Sequence, residues 1–340
     1  MKAAVFHGTA VGLRIEEIPK PTVLADQALV KVAACGVCHT DLHYLEHGVP
    51  TFKKPPLVLG HEASGVVEDI GAEVRNVVRG QRVLIPAVLT CGRCAFCRMG
   101  RENICAHMTM LGNHIDGAYA EYVAVPSKDL QDLPASIPLE EASIIADATS
   151  TPYHAVKNRA RVQPGDTVVV FGCGGVGINA VQLATAAGGL VIAVDLNERK
   201  LAWAQQFGAA QTINAARVDR VSKEVKKLTG GGADVCLEVI GNPRTIEEAF
   251  ECVRVGGRLC IVGYTNEAVH LVAGKIMFKE IEIVGSLGCR PLDYGPLIRM
   301  VEQGKVDVKR QVTHRFKLEE LSRAFEVMKE GVSLRSIVIP

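Results

Sequence analysis

Cys91, Cys94, Cys97 and Cys105 fall in "TCGRCAFCRMGRENIC" with the spacing C-x2-C-x2-C-x7-C. Four thiolates so close along a chain suit a tetrahedral zinc with every position filled, an ion that braces a loop rather than one that does chemistry. The intervening Gly92, Arg93, Ala95 and Phe96 bring no competing ligand. Disulfides and an iron–sulfur cluster share the spacing, the first disfavoured in a reducing compartment. A second constellation is scattered. "CGVCHTDLH" (35–43) offers Cys38, Thr40 and His43, "LGHEASGVV" (59–67) sets His61 beside Glu62, and "IIADATSTPYHAV" (144–156) contains Asp147. Thiolate, neutral imidazole and carboxylate together balance Zn²⁺ and leave a fourth position for an oxygen, as a catalytic zinc requires. Glu62 adds a carboxylate close by, behind the ligands or exchanging onto the metal. Cys35 and Cys38 also admit a redox dithiol, but such a pair belongs at a helix start in a βαβ pattern, and this region reads as β-rich.

The third chemical signal is "TVVVFGCGGVGINAVQLA", where Gly172, Gly174 and Gly177 have G-x-G-x-x-G spacing and Gly175 and Val176 complete the turn. It follows an apolar run and opens a helix-like stretch, the context that makes the motif a dinucleotide site. Gly172 permits the tight turn, Gly174 lets backbone approach a pyrophosphate, and Gly177 allows close packing. The next apolar run, "LVIAVD", ends in Asp195. A carboxylate there accepts from a ribose diol and repels a 2′-phosphate, so NAD is expected rather than NADP.

These residues need two kinds of scaffold. Up to about residue 146 short alternating runs ("QALVKVAACGV", "ASGVVEDIG", "QRVLIPA", "AYAEYVAVP") are separated by Gly, Pro and Asp turns, a β-rich texture. From about residue 150 apolar runs alternate with helical stretches, which implies right-handed crossovers and a parallel sheet. A helix, "LEELSRAFEVMKEG", and an apolar end, "SIVIP", close the chain and are candidates to return to the first scaffold. With 340 residues, two domains are expected. A formal net charge of +1 gives no global field for nucleic acid or a membrane surface. No run is long and apolar enough for a transmembrane helix, and charges interrupt every apolar run of the first residues, against a secretory signal. The expected compartment is the cytoplasm, where the eleven cysteines should be mostly reduced.

"CGVCHTDLH", "GHEASGVVEDIG", "LTCGRCAFCRMGRENIC", "DGAYAEY" and "FGCGGVG" occur in the order found in the zinc-dependent medium-chain alcohol dehydrogenases, which the chain resembles over essentially its whole length. The resemblance implies an α/β fold: a Rossmann doubly wound parallel sheet (150–288) plus a chaperonin-10-like β-rich catalytic domain (1–149 and 289–340), with the active site in the cleft between. It implies that Cys38, His61 and Asp147 hold the catalytic zinc, with Glu62 the adjacent carboxylate that can approach the metal. Many members have Cys where this chain has Asp147. Thr40 would take the alcohol proton and His43 would end a relay that passes it through the ribose to solvent. His39 and Arg335 would contact the pyrophosphate, Thr151, Val262, Gly263 and Leu287 would line the nicotinamide, and Lys200 would lie near the adenosine ribose. The implied activity is reversible oxidation of a primary or secondary alcohol with NAD and two zinc ions per chain. Ala87, where relatives carry a bulky aromatic, leaves room for a branched, cyclic or aromatic substrate; polyol and CoA-linked alcohols are alternatives. A zinc-free reductase on this fold would lack the Cys38/His61 pair, and a non-catalytic NAD- or zinc-binding protein would have lost a relay or ligand residue. Relatives of this length imply a homo-oligomer, a tetramer before a dimer, for which "GRLCIVG" through "IEIVGS" could extend a sheet.

Overall fold

A computed structural model describes residues 1–340. The chain divides into two compact units, Met1–Ala148 with Cys289–Pro340, and Thr149–Gly288. No helix is long and apolar enough to cross a membrane.

The first unit is organised on one strand, Gln27–Gly36, whose "ALVKVAACG" buries nearly every position. Its neighbours cover both sides. The sheet runs Gln131–Asp132, Arg82–Ile85, Ala63–Ile70, Gln27–Gly36, Arg335–Ile339, Val312–Lys317, and Tyr122–Pro126 pairs with the start of Gln27–Gly36. Val, Ile and Ala dominate these strands, as expected for a pleated surface packed against a core. That core gathers Val30, Leu59, Ile85, Tyr119, Phe325 and Val338. The C-terminal strand pairs with the end of Gln27–Gly36: Ile337 lies opposite Gly36 and Val338 opposite Cys35. The helix expected over "LEELSRAFEVMKEG" begins as a 3₁₀ turn, Leu318–Glu320, and continues as Leu321–Lys329.

One stretch read as β-rich is different. Gln27–Gly36 gives way to a short α-helix, His39–Leu45, capped by Cys38 in extended conformation. Seven residues are too few for a helix to stand on propensity alone, so packing of Asp41, Leu42 and Tyr44 into the interior sustains it. A helix start after a strand would on its own have suited a redox dithiol. The strands flanking Gln27–Gly36 are antiparallel rather than βαβ, and Cys35 is fully buried, with its thiol pushed well above the usual range by desolvation. A thiol so placed is inert.

The second unit holds six strands: β1 (Thr167–Phe171), β2 (Leu190–Asp195), β3 (Gln211–Asn214), β4 (Ala233–Glu238), β5 (Val253–Ile261) and β6 (Glu282–Gly285). They are all parallel, in the order β3-β2-β1-β4-β5-β6. Runs such as "VVVF" and "VIAV" are buried throughout because helices cover both faces of a parallel sheet. Gly175–Ala186, Glu198–Gln206, Val221–Thr229 and Pro243–Cys252 supply those crossovers. Asn197 and Asn242 cap two of them through backbone N–H groups of Arg199, Lys200 and Arg244. The order of connection reverses between β1 and β4, the place where doubly wound sheets bind ligands.

The glycines after β1 have distinct environments. Gly172 has φ of +96°, which only glycine adopts freely. A Cβ on Gly174 would meet nothing within 4 Å, whereas one on Gly177 would lie 1.7 Å from the Gly172 carbonyl oxygen. Gly177→Ala is therefore expected to cost about 1–3 kcal/mol through overpacking of the turn. Thermal unfolding checks this: the melting temperature should fall by several degrees, while Gly174→Ala leaves it within about one degree.

Candidate metal and cofactor sites

Local sequence alone builds the first site. Cys94 caps a four-residue helix, Ala95–Arg98, which turns Cys97 back towards Cys91, and Cys105 follows the 3₁₀ turn Glu102–Ile104. The Sγ–Sγ distances are 3.9 Å for Cys91–Cys97, 3.5 Å for Cys94–Cys97 and 3.8 Å for Cys94–Cys105. Zinc–sulfur bonds of about 2.3 Å in a tetrahedron put sulfurs about 3.8 Å apart, so the four fit one zinc. They are too far apart for disulfides, and too close to enclose a multi-iron cluster. Backbone N–H groups of Cys97 and Ala106 pull the Cys94 thiol down to about 6, while desolvation, then the neighbouring thiols, push Cys97 up to about 12. A cation among them is what lets all four deprotonate together.

The second site is assembled by the sheet. Pairing of Gln27–Gly36 with Ala63–Ile70 sets Cys35 opposite Ala63, and the Gly36 N–H donates to the Glu62 carbonyl at 2.7 Å. His61 and Glu62 thus arrive beside the end of the strand that delivers Cys38. Asp147 comes from the stretch after Leu139–Ala142, pinned on both sides: the Ala148 N–H donates to Glu62 Oε1 at 2.6 Å, and the Tyr294 hydroxyl donates to the Ala146 carbonyl at 2.8 Å. One ligand atom each from Cys38, His61 and Asp147 then lies within 4.8 Å of the others. Cys38 Sγ is 3.8 Å and His61 Nε2 is 3.5 Å from Asp147 Oδ2. Zinc with mixed S, N and O ligands at about 2.0–2.3 Å asks for separations of this size. His61 is 1% exposed, and neither ring nitrogen makes a well-aligned hydrogen bond: the facing carboxylate oxygens of Asp41 and Asp147 are 3.4 and 3.5 Å away. A buried imidazole with Nε2 facing a thiol and a carboxylate fits a metal ligand.

Glu62 does not join this set. Both its oxygens are engaged, one by the Ala148 N–H and the other by the Arg335 guanidinium, so it stands behind the ligands rather than among them. Of the two places expected for Glu62, behind the ligands or exchanging onto the metal, it occupies the first here, and moving onto the metal would cost the carboxylate both partners. Arg335 is itself buried, and its Nε is unpartnered.

Three residues that sequence reasoning passed over complete the setting. Asp41 is fully buried, with Oδ1 3.4 Å from His61 Nδ1. The Tyr119 hydroxyl lies 2.9 Å from Asp41 Oδ2 and 3.0 Å from the Gly36 carbonyl. Burial works to lower the His61 pKa, but Asp41, ahead of Asp147 and Cys38, carries it well above its ordinary value. A carboxylate behind a ligand imidazole fixes the ring and strengthens its lone pair. Gly36 is required because a Cβ there would sit 1.6 Å from Glu62 Oε2. Asp41 was visible in "CGVCHTDLH", but only as an acidic residue early in an unrecognised helix. Thr40 Oγ1 lies 3.6 Å from Cys38 Sγ, and His43 follows on the next turn. His39, the first residue of that helix, is exposed.

In the second unit the expected cofactor residues gather at the carboxyl ends of the strands. Gly172, Gly174, Gly175, Val176 and Gly177 follow β1, and Asp195 ends β2. Its Oδ2 accepts from the Cys173 N–H at 2.8 Å and its Oδ1 from the Asn197 N–H at 3.0 Å. Lys200 lies in the helix after β2. Val262 and Gly263 follow β5, their N–H groups donating to the Glu238 carbonyl at 2.8 and 3.0 Å. Leu287, beyond β6, is exposed, and Thr151 lies in the helix Ser150–His154.

Two family descriptions match the chain, an alcohol dehydrogenase GroES-like domain over residues 24–135 and a zinc-binding dehydrogenase over residues 175–303. Among similar proteins, a sorbitol dehydrogenase of Bacillus subtilis is 36% identical over 332 residues, 96% of this chain and 93% of that protein. An L-threonine 3-dehydrogenase of Bacillus licheniformis is 33% identical over 346 residues, covering 100% and 99%. The solved alcohol dehydrogenase of Thermus sp. ATN1 superposes with a TM-score of 0.93 at 30% identity, covering 100% of this chain and 99% of that one.

Asp41→Asn keeps the shape behind His61 and removes its charge. Zinc affinity at the Cys38/His61/Asp147 site should fall about 10–100-fold. Competition against a chromophoric chelator checks this without any turnover assay; unchanged affinity would separate Asp41 from the metal.

Proposed function

The chain belongs to the zinc-dependent medium-chain alcohol dehydrogenase family, and on that premise we propose that it oxidises a primary or secondary alcohol reversibly to the aldehyde or ketone with NAD, using zinc held by Cys38, His61 and Asp147. The observation that carries this reading is the convergence of a thiol, a buried imidazole and a carboxylate from three separate stretches of chain. When bound there, zinc acts as a Lewis acid that eases deprotonation of a substrate hydroxyl. Two anionic ligands, Cys38 and Asp147, offset its charge, and Asp41 and Glu62 hold the ligands from behind. Thr40, within 3.6 Å of the Cys38 sulfur, is placed to accept a hydroxyl proton from the substrate and release its own. His43, three residues on and on the same helix face, takes the proton outward. Asp195 supports NAD. Each of its oxygens already accepts one backbone N–H, which aims the remaining lone pairs and leaves a fixed negative charge where a 2′-phosphate would have to sit. His39 and the free Nε of Arg335 are proposed donors to the pyrophosphate. Thr151, Val262, Gly263 and Leu287 are proposed around the nicotinamide and Lys200 near the ribose.

Ala87 is buried and its carbonyl accepts from the Leu111 N–H at 3.0 Å, so the residue belongs to the wall of the first unit rather than to its surface. Its small side chain supports a branched, cyclic or aromatic alcohol. The polyol reading also has support, from a similar protein named for sorbitol. The outer edge of β6 is the proposed meeting edge for a homo-oligomer, with a tetramer the expected state.

Asp147→Ala and Thr40→Ala should each lower kcat/KM by about 10²–10⁴-fold with NAD⁺ and a primary alcohol; wild-type turnover in both would end this assignment. Asp195→Ala should shift the NAD⁺/NADP⁺ preference at least about tenfold towards NADP⁺, the value of one lost polar discrimination. Metal analysis should give two zinc ions per chain and one after Cys97→Ser. Comparison of ethanol, benzyl alcohol, cyclohexanol and sorbitol assigns the substrate class, with ethanol the poorest.

A further inference from the structure

Beyond His43 the helix ends, and a second imidazole is waiting. His43 lies in the last turn of His39–Leu45 and His47 just past its end, and the two rings meet there. Their Nδ1 atoms are 3.0 Å apart and their ring centroids 5.1 Å, with the planes tilted by 55°. Two nitrogens at that distance share one hydrogen: one Nδ1 carries it and the other offers its lone pair. His43 is half-buried and His47 is exposed. Glu46, between them in sequence, is tied to Lys329 at 2.7 Å, and Asp41 is turned inward to His61 and Tyr119.

We propose that His47 is the solvent-side member of the proton relay, taking from His43 the proton released by each alcohol oxidation. This rests on the reading of Thr40 and His43 as proton carriers. A proton added to His43 Nε2 is matched by transfer of the Nδ1 hydrogen to His47 Nδ1, and His47 Nε2 gives up its own proton to water or a buffer base. One proton crosses two rings, no electrons move, and neither ring is left charged; exchange with water restores the starting tautomers. The pairing answers a physical difficulty. Desolvation, and after it His47, lower the affinity of His43 for a proton, so an imidazolium stranded there would be unfavourable. Shared transfer avoids forming it.

The test uses the zinc-loaded protein as purified, with His47→Gln, His43→Gln, Thr40→Ala and wild type compared at equal zinc content and melting temperature. Proton release in a single turnover is followed with a pH indicator between about pH 6 and 9, the range over which histidine changes charge. His47→Gln should slow release about 3–10-fold, most at low pH, and added imidazole should restore it, while wild type stays insensitive to imidazole. KM for the alcohol should not change. Normal release in His47→Gln beside slow release in His43→Gln overturns the role of His47 and leaves the relay standing. Slow release in His47→Gln that imidazole does not restore, with an unmoved pH profile, also overturns it, since His47 would then only position its neighbour. Normal release in His43→Gln, His47→Gln and Thr40→Ala alike defeats the relay itself.

Discussion

Glu62 is a fully buried carboxylate on which three distant stretches of chain meet. Its Oε1 accepts from Ala148 N–H, its Oε2 from Arg335, and its backbone carbonyl from Gly36 N–H. Arg335 is 273 residues further along the chain. An ion buried without partners is strongly unfavourable, so these contacts are obligatory rather than decorative. Removing one partner of such a pair costs about 3–5 kcal/mol because the other charge is stranded. The geometry of Cys38, His61 and Asp147, the candidate metal ligands, follows from this constraint. Ala148 fastened to Glu62 places Asp147 against His61, and the absence of a side chain at Gly36 leaves the space the carboxylate occupies.

The two candidate ligand clusters are built in opposite ways. The four cysteines lie within one short stretch, so closing their loop costs little entropy, and backbone N–H groups of Cys91, Cys94 and His107 point at sulfurs. That site is complete and needs nothing from the sheet. Cys38, His61 and Asp147 are brought together by strand pairing and by contacts that reach across the chain to Glu62. The reward for that longer assembly is a donor set with three members and a hydroxyl, Thr40, at its edge. A closed local site suits bracing, and an incomplete long-range one suits chemistry.

The second unit applies the same economy of charge to a different task. Asp195 ends β2, yet its carboxylate binds the Cys173 N–H inside the turn after β1. One acidic side chain therefore links two adjacent strand ends. Glu238 does similar work at the end of β4, accepting from the N–H groups of Ile240 and Gly241 and the Thr245 hydroxyl at 2.8–3.0 Å. Carboxylates at the carboxyl ends of parallel strands hold the loops that follow, and those loops are where this kind of sheet meets its ligands.

What could be read from residues alone was whatever is encoded over short range. The cysteine quartet stood out as a candidate metal site through spacing, the G-x-G-x-x-G turn declared itself through the strand before it and the helix after it, and the alternation of apolar runs with helical stretches declared a parallel sheet. The helix His39–Leu45 was hidden because packing, not propensity, sustains its seven residues. Asp41 went unnoticed for the same reason, since nothing local says that this acid is buried behind His61. Glu62 sits next to His61 in sequence, and adjacency left it either behind the ligands or exchanging onto the metal; only the folded sheet shows its carboxylate turned to Arg335 and Ala148. Residue type and local period set which elements form and which atoms can bind a metal. Which of those atoms face one another was decided by pairings across hundreds of residues, and no local pattern carries that information.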